Sequence, residues 1–493
     1  MRTRQTPRTP VREAATLPNM DSLSLKDDCA RAKRFCEFMD TSPTTYHAVN
    51  YLSKDLEAAG FRPLNERDSW EDEFHTHDKF YVTRNGSSII AFVVGKDWTP
   101  GNGAGVVGTH IDALCAKVKP ISKKTPVDGY TLLGAAPYSG AFSDTWWDRD
   151  LGIAGRIICR DGNNKVTSKL VHVPYPIARI PTLAPHFGAP ANPPFNKETQ
   201  MTPVIGLTSS KEVSEPTEEE KESPLVGKHC IDLLRTLSKH SGVPVKDMLQ
   251  MDMELFDTQK AALGGLNQDF IFCPRIDDKV CTYTAVQGFI ESVPDMDPRS
   301  LNIVVCFDNE EVGSNTRQGA QGGLLESVVE RVISHGMDAS VANLAEEYKR
   351  KTYANSFFCS ADVNHAVNPN FSNIYLEHHK PQLNYGMTLA VDPNAHMTTD
   401  AVSLSFIEEV ARRGKNKTQY FQIRNDSRSG GTIGPYISSS TGMRSIDLGI
   451  AQLSMHSIRA TIGSKDVALG TKFFKNFYEL WFGVDEEFNK GGI

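Results

Sequence analysis

The chain has 493 residues, well beyond one ordinary domain, so two large domains or one domain carrying an insertion is the expected layout. Hydrophobic residues make up 39 % and charged residues 23 %, a globular balance that excludes collagen-like, coiled-coil and wholly disordered chains. Lys and Arg number 53 against 60 Asp and Glu, a net charge of -7 that argues against a nucleic-acid partner, and no apolar run is long enough to span a membrane.

Residues 1–24 read as a disordered tail or a propeptide: Arg2, Arg4, Arg8 and Arg12 alternate with Pro7, Pro10 and Pro18, and no apolar core of a secretory signal follows. Helical periodicity then runs from Leu25 through Ala32, Phe35 and Met39 and stops at Ser42-Pro43; a second helix spans about Thr45 to Ala59 and ends at Gly60. Phe80 to Thr83 and Ser88 to Val94 flank Asn85-Gly86, the signature of a hairpin. The texture changes over 116–265, where prolines cluster between Pro174 and Pro194 and short apolar runs alternate with turns, which predicts a mostly β insertion. Within it, acid-rich Lys211 to Glu222 reads as a solvated loop. From 266 onward strand and helix patterns alternate again, with Leu301 to Phe307, Ser356 to Ser360 and Met387 to Val391 as buried strands. The peptide chain thus divides into 1–24, a first α/β part 25–115, the insertion 116–265 and a second α/β part 266–493. The nine cysteines are scattered with no C-x-x-C pair, which points to reduced thiols rather than a disulfide framework.

Acid and imidazole side chains follow several of these apolar runs. His110 and Asp112 follow Val106 to Thr109, and Asp277-Asp278 follow Ile271-Phe272. Glu310 and Glu311 follow Leu301 to Phe307, Asp362 follows Phe357 to Cys359, and His456 follows Ile450 to Met455. Each has a plain structural reading: a surface His-x-Asp pair, a solvated Glu-Glu, an Asp N-cap for a helix from Lys279. Together they are what a metal site needs, since carboxylates at the ends of buried strands are costly unless paired or metal-bound, and ligands bind at the carboxyl ends of strands in open α/β sheets. Imidazole and carboxylate donors suit zinc, and two such ions with one off-metal carboxylate make a hydrolase.

His110-Ile-Asp112, Arg275-Ile-Asp277-Asp278, Asp308-Asn-Glu310-Glu311-Val-Gly-Ser, Ser360-Ala-Asp362-Val-Asn-His365, Gly430-Gly-Thr-Ile-Gly-Pro435 and Met455-His456-Ser-Ile-Arg459 stand in the order seen in the aspartyl aminopeptidase family of dizinc metallopeptidases, which the chain resembles from about Phe35 onward. Gly227-Lys-His-Cys230, Gly322 to Glu330 and Ser427 to Gly431 are most similar to its fungal vacuolar members. The resemblance implies a three-layer α/β/α peptidase domain interrupted by a β-rich dimerisation domain. It implies two Zn2+ per subunit, bridged by Asp277 and completed by His110, Glu311, Asp362 and His456. Glu310 would be the general base, Asp112 the partner that orients His110, and Gly430-Gly431 a substrate-binding loop. His186 would be lent to a neighbouring subunit, within a dodecamer of dimers whose chamber admits peptides and unfolded ends. Family members that prefer acidic substrates carry a Lys just before the Gly that opens the strand after the Asp-His segment. Tyr385 stands there in this chain, so neutral N-termini such as Leu are expected to be favoured over acidic ones. Vacuolar residence, through an N-terminal segment met by a selective-autophagy receptor, is implied. Cytoplasm is the alternative, because residues 1–20 do not show the amphipathic propeptide helix. Three further readings stay open: an acidic P1 preference served by Arg424 or Arg428, an autophagy cargo particle with weak activity, and a deacetylase or carboxypeptidase on a related scaffold.

Overall fold

Asn85 and Gly86, at φ 58° and 64°, form the tight turn that joins antiparallel strands Lys79–Arg84 and Ser88–Val94. That hairpin starts a nine-stranded sheet in the computed structural model, which describes residues 20–70, 78–208, 215–337 and 343–492. From edge to edge the strands run Arg62–Leu64, Lys79–Arg84, Ser88–Val94, Leu301–Phe307, Ala104–His110, Phe357–Ala361, Arg444–Gly449, Met387–Val391 and Thr418–Gln422. Leu301–Phe307, Ala104–His110, Phe357–Ala361 and Arg444–Gly449 are mutually parallel, so their carboxyl ends share one edge. The first three are buried at every residue, which is why they read as continuous apolar runs rather than alternating ones.

Helices cover both faces. On one side Phe35, Leu52, Phe289, Phe406 and Trp481 come from helices Met20–Thr41, Thr45–Ala58, Ile276–Ser292, Ala401–Arg413 and Asp466–Lys490. On the other, Val328, Tyr353 and Ile437 come from Leu324–His335, Ala345–Ala354 and Gly434–Thr441. Full burial of each such side chain stabilises the fold by about 1.5–3 kcal/mol, and it makes the three-layer arrangement the stable one. The first helix begins at Met20, ahead of the Leu25 expected from periodicity, and the Arg- and Pro-rich residues 1–19 lie outside the described ones.

Between Ala104–His110 and Leu301–Phe307 the chain builds a second, six-stranded antiparallel sheet. Its order is Val166–His172, Leu151–Arg160, Met248–Asp257, Cys115–Lys123, Tyr130–Tyr138 and Val204–Leu207. Its core is separate: Ile153, Ile157, Val171 and Leu255 pack with Leu234 and Leu237 of helix Ile231–Ser241, an element the sequence reading did not foresee. The proline cluster is irregular chain with short turns at Pro185–Phe187 and Ala189–Ala191. The acidic stretch is only partly as expected. Its residues 211–214 lie outside the described ones, and Glu220 is held by Arg235 at 2.8 Å rather than being free in solvent.

A second difference concerns Ile271-Phe272. Phe270–Cys273 pairs with Ala262–Gly264 and Ala460–Gly463 in a small antiparallel sheet, not in the large one. All nine cysteines are free thiols, six of them buried. Among the described residues no helix is long and apolar enough to cross a membrane.

Candidate metal centre

Strand pairing brings the donors together. His110 ends its strand opposite Phe307, so Asp308 to Glu311 emerge beside it. Asp362 follows Phe357–Ala361, and its amide donates to Leu448 O at 2.9 Å. That close approach requires Gly449, where a Cβ would stand 1.6 Å from the Asp362 carbonyl oxygen. Asp277 and Asp278 arrive from the small sheet through Arg275, at φ 59°, on the first turn of helix Ile276–Ser292. Both have non-helical dihedrals and no side-chain cap bond forms there, so the N-cap reading is replaced by a turn that points both carboxylates at His110. His456, at φ 61°, follows the short strand Ala451–Gln452.

Asp277 sits between the two imidazoles. Its Oδ1 lies 3.1 Å from His110 Nε2 and its Oδ2 lies 3.4 Å from His456 Nε2. His110 Nε2 also faces Asp362 Oδ1 at 3.6 Å and Glu310 Oε2 at 3.9 Å, while His456 Nε2 faces Glu311 Oε2 at 3.8 Å. The far side of the His110 ring, Nδ1, meets Asp112 Oδ1 at 3.2 Å. Two trios, His110 with Asp277 and Glu311 and His110 with Asp278 and Asp362, each bring their donor atoms within 4.8 Å of one another. Asp278 is the residue that sequence reasoning left as a cap. It is fully buried beside Cys281, and neither of its carboxylate oxygens accepts a hydrogen bond.

The charges do not balance. Burial, then the neighbouring carboxylates, pushes Glu310 up to about 8 and Glu311 and Asp278 well above the usual carboxylate range; Asp362 is raised for the same reasons. Burial works against charge on His110, yet Asp362, Asp112 and Asp277 carry it well above an ordinary imidazole. Burial also opposes ionisation of Asp277, but bonds to His110 and His456 hold it down. Glu311 Oε1 is buried and accepts no hydrogen bond. Acids crowded around two imidazoles, with an orphaned buried oxygen among them, fit divalent cations, whose charge offsets the repulsion and whose coordination takes up the free lone pairs. The donor set, imidazole and carboxylate only, suits zinc.

These groups open into a cavity of about 350 Å³, lined by Asp277, Glu310, Glu311, Asp362 and His456 together with Gly430 and Gly431. Val363, Met397, Phe421, Ile423, Tyr436 and Met455 form its apolar part, and no Lys or Arg is among the described residues lining it. Two expected site residues stand apart. His186 is exposed on the Pro185–Phe187 turn and does not line the cavity of its own chain. Tyr385 does not line the cavity of its own chain either, and Lys417 Nζ lies 5.2 Å from its ring centroid. Arg424 is engaged as well, paired with Asp426 at 2.7 Å.

The family model described as Aminopeptidase I zinc metalloprotease (M18) matches residues 38–478. The chain belongs to this family. It is therefore a zinc metallo-aminopeptidase, a hydrolase. It is 50 % identical to vacuolar aminopeptidase 1 of Saccharomyces cerevisiae over 93 % of this chain and 90 % of that one. It is 37 % identical to an aspartyl aminopeptidase of Aspergillus oryzae over 90 % and 95 %. Among solved structures, the crystal structure of prApe1 matches with a TM-score of 0.88 at 48 % identity, covering 94 % of this chain and 98 % of that one. The S. cerevisiae mApe1 dodecamer matches with a TM-score of 0.84 at 44 % identity, covering 94 % and 100 %. The Ape4 and Nbr1 complex matches with a TM-score of 0.87 at 34 % identity, covering 96 % and 89 %.

Proposed function

We propose that this chain releases single residues, neutral ones such as Leu foremost, from the N-termini of peptides at a site holding two zinc ions. The observation that carries the reading is Asp277, with one carboxylate oxygen toward each imidazole. His110 and Asp362 would hold one ion, Glu311 and His456 the other, and Asp277 both. Bound there, zinc supplies a Lewis acid that polarises the peptide carbonyl and acidifies water. Glu310, beside the cluster and in the cavity, takes the proton of the attacking water at its carboxylate and returns it to the leaving amine. Asp112 fixes the His110 ring through Nδ1.

The preference follows from the lining. An acidic side chain entering a cavity without Lys or Arg gives up hydration uncompensated, whereas Leu packs against Met397, Phe421 and Ile423. The test is kcat/KM for matched Leu and Asp substrates, with Leu expected ahead by about tenfold or more, 1.4 kcal/mol in the transition state. Asp ahead by the same factor overturns the preference and favours the activity named for the Aspergillus relative.

We further propose that the six-stranded sheet pairs subunits into dimers, that these build a dodecamer, and that His186 completes a partner's site. The support is the exposed Leu183, His186 and Phe187 on one loop, and the mApe1 dodecamer among the similar structures. A neutral imidazole there donates to the developing oxyanion, and losing such a donor costs about 10²–10³ in kcat. Mixing His186→Ala with Glu310→Gln protein is expected to restore activity in hybrid dimers; none in proven hybrids places His186 outside catalysis or in its own subunit. Vacuolar residence and recognition by a selective-autophagy receptor are proposed from the names of the yeast relative and of the Nbr1 complex, with cytoplasm as the alternative.

A further inference from the structure

One strand of the six-stranded sheet ends against the metal cluster of the other. Tyr130–Tyr138 begins at Tyr130, 48 % exposed, and ends at Tyr138, 9 % exposed. The Tyr138 hydroxyl donates to Asp112 Oδ2 at 2.7 Å and accepts from Asn309 Nδ2 at 2.9 Å. Lys117 Nζ lies 4.4 Å from the centroid of its ring, which fixes the phenol between a cation and a carboxylate. The next residue, Ser139, at φ 55°, donates from Oγ to Glu311 Oε2 at 3.3 Å.

Asp112 is where this contact acts. Its buried carboxylate faces His110 Nδ1 at 3.2 Å and accepts from the backbone amides of Glu310 and Glu311, each at 3.2 Å. One side chain therefore sets both the direction of the His110 ring and the place of the Glu310–Glu311 turn. The bond from Tyr138 is the shortest that Asp112 receives, and its acceptor is charged. Asn309, which braces the hydroxyl from behind, is the residue just before that same turn.

We propose that Tyr138 is a positioning residue for the metal centre: by holding Asp112 it aims His110 and seats Glu310 and Glu311, so that zinc affinity depends on the inserted sheet. The proposal rests on the ligand set given above. Tyr138 does not line the cavity, and its hydroxyl bonds to Asp112 and Asn309 rather than to a proposed ligand, so it acts on the ligands chiefly through Asp112. Partners of metal-bound imidazoles are worth roughly 10–100-fold in metal affinity or activity, and a group one bond further out falls at the low end, about tenfold.

The test is Tyr138→Phe in the assembled enzyme, a change that keeps the ring and its packing. Zinc affinity, read by competition with a chromophoric chelator, is expected to fall about tenfold, and kcat to fall with KM for a Leu substrate unchanged. In Asp112→Ala protein, and in Asp112→Asn should the first fold poorly, Tyr138→Phe is expected to cost much less zinc affinity, because its route of action is gone. An equal loss in both backgrounds makes Tyr138 a general structural residue and overturns the proposal, as does wild-type zinc affinity in Tyr138→Phe alone. His110→Ala is the control: retention of two ions by that variant refutes the ligand set rather than the role of Tyr138.

Discussion

Glu310→Gln is expected to keep its zinc and lose about 10²–10⁴ in turnover, the contribution of a positioned general base. Glutamine matches the shape of glutamate, so the cavity wall and the backbone bond from the residue-310 amide to Asp112 Oδ1 stay in place. What disappears is the group that takes the proton. Glu310 is suited to that work because it is 15 % exposed and 3.9 Å from His110 Nε2, close to the proposed ligands without the place between the two imidazoles that Asp277 holds. Glu311, by contrast, is 5 % exposed and faces His456. The measurement is kcat beside zinc content by mass spectrometry on the same sample. Near-normal turnover with both ions present removes Glu310 from the mechanism. Zinc loss in the variant would instead make Glu310 a ligand and reopen which of the two adjacent glutamates is the base.

Much of this site was legible because the residues that hold it end buried strands. Leu301 to Phe307 reads as a strand since both of its faces are covered, and the acids that follow it are then conspicuous. The same logic marks His110 and Asp362. It misleads at Ile271-Phe272, because a short apolar run does not state which strand it pairs with, and this one pairs with Ala460–Gly463 in a separate sheet. Asp278 was hidden for another reason. An acid just before a helix is usually a cap, and only tertiary burial against His110 and Asp362 shows otherwise.

The apolar lining was beyond the sequence altogether. Met397, Phe421, Ile423 and Tyr436 lie in loops and short elements, where apolar residues look the same whether they face a core or a cavity. Tyr385, conspicuous for its place along the chain, lies outside the cavity lining with Lys417 Nζ 5.2 Å from its ring centroid. Tyr138 and Ser139 belong to the stretch whose texture set it apart from the α/β parts, so nothing local connects them to His110, 28 residues away for Tyr138 (138 − 110). Tyr138 makes that connection through its bond to Asp112, and Ser139 reaches the site separately at Glu311.

Asp277→Ala is expected to be more damaging than Glu310→Gln, with both zinc ions lost together. Asp277 presents Oδ1 to His110 at 3.1 Å and Oδ2 to His456 at 3.4 Å, whereas Glu311, though grouped with His110 as well, comes no nearer to His456 than 3.8 Å. Removing it takes a donor from each ion and leaves Glu311, Asp362 and Asp278 crowded with less cationic compensation. Asp277→Asn separates the two effects, since an amide offers one carbonyl oxygen and no charge. It is expected to hold at most one ion, and more weakly. Glu311→Ala strips a ligand from one ion only, so its product should retain the ion between His110 and Asp362. The zinc content of the three variants, measured after equilibration with a graded chelator, distinguishes a shared carboxylate from an ordinary one. Should Asp277→Ala keep one ion at wild-type affinity, Asp277 belongs to a single ion, and Asp278, already within reach of His110 and Asp362, becomes the acid that serves the other.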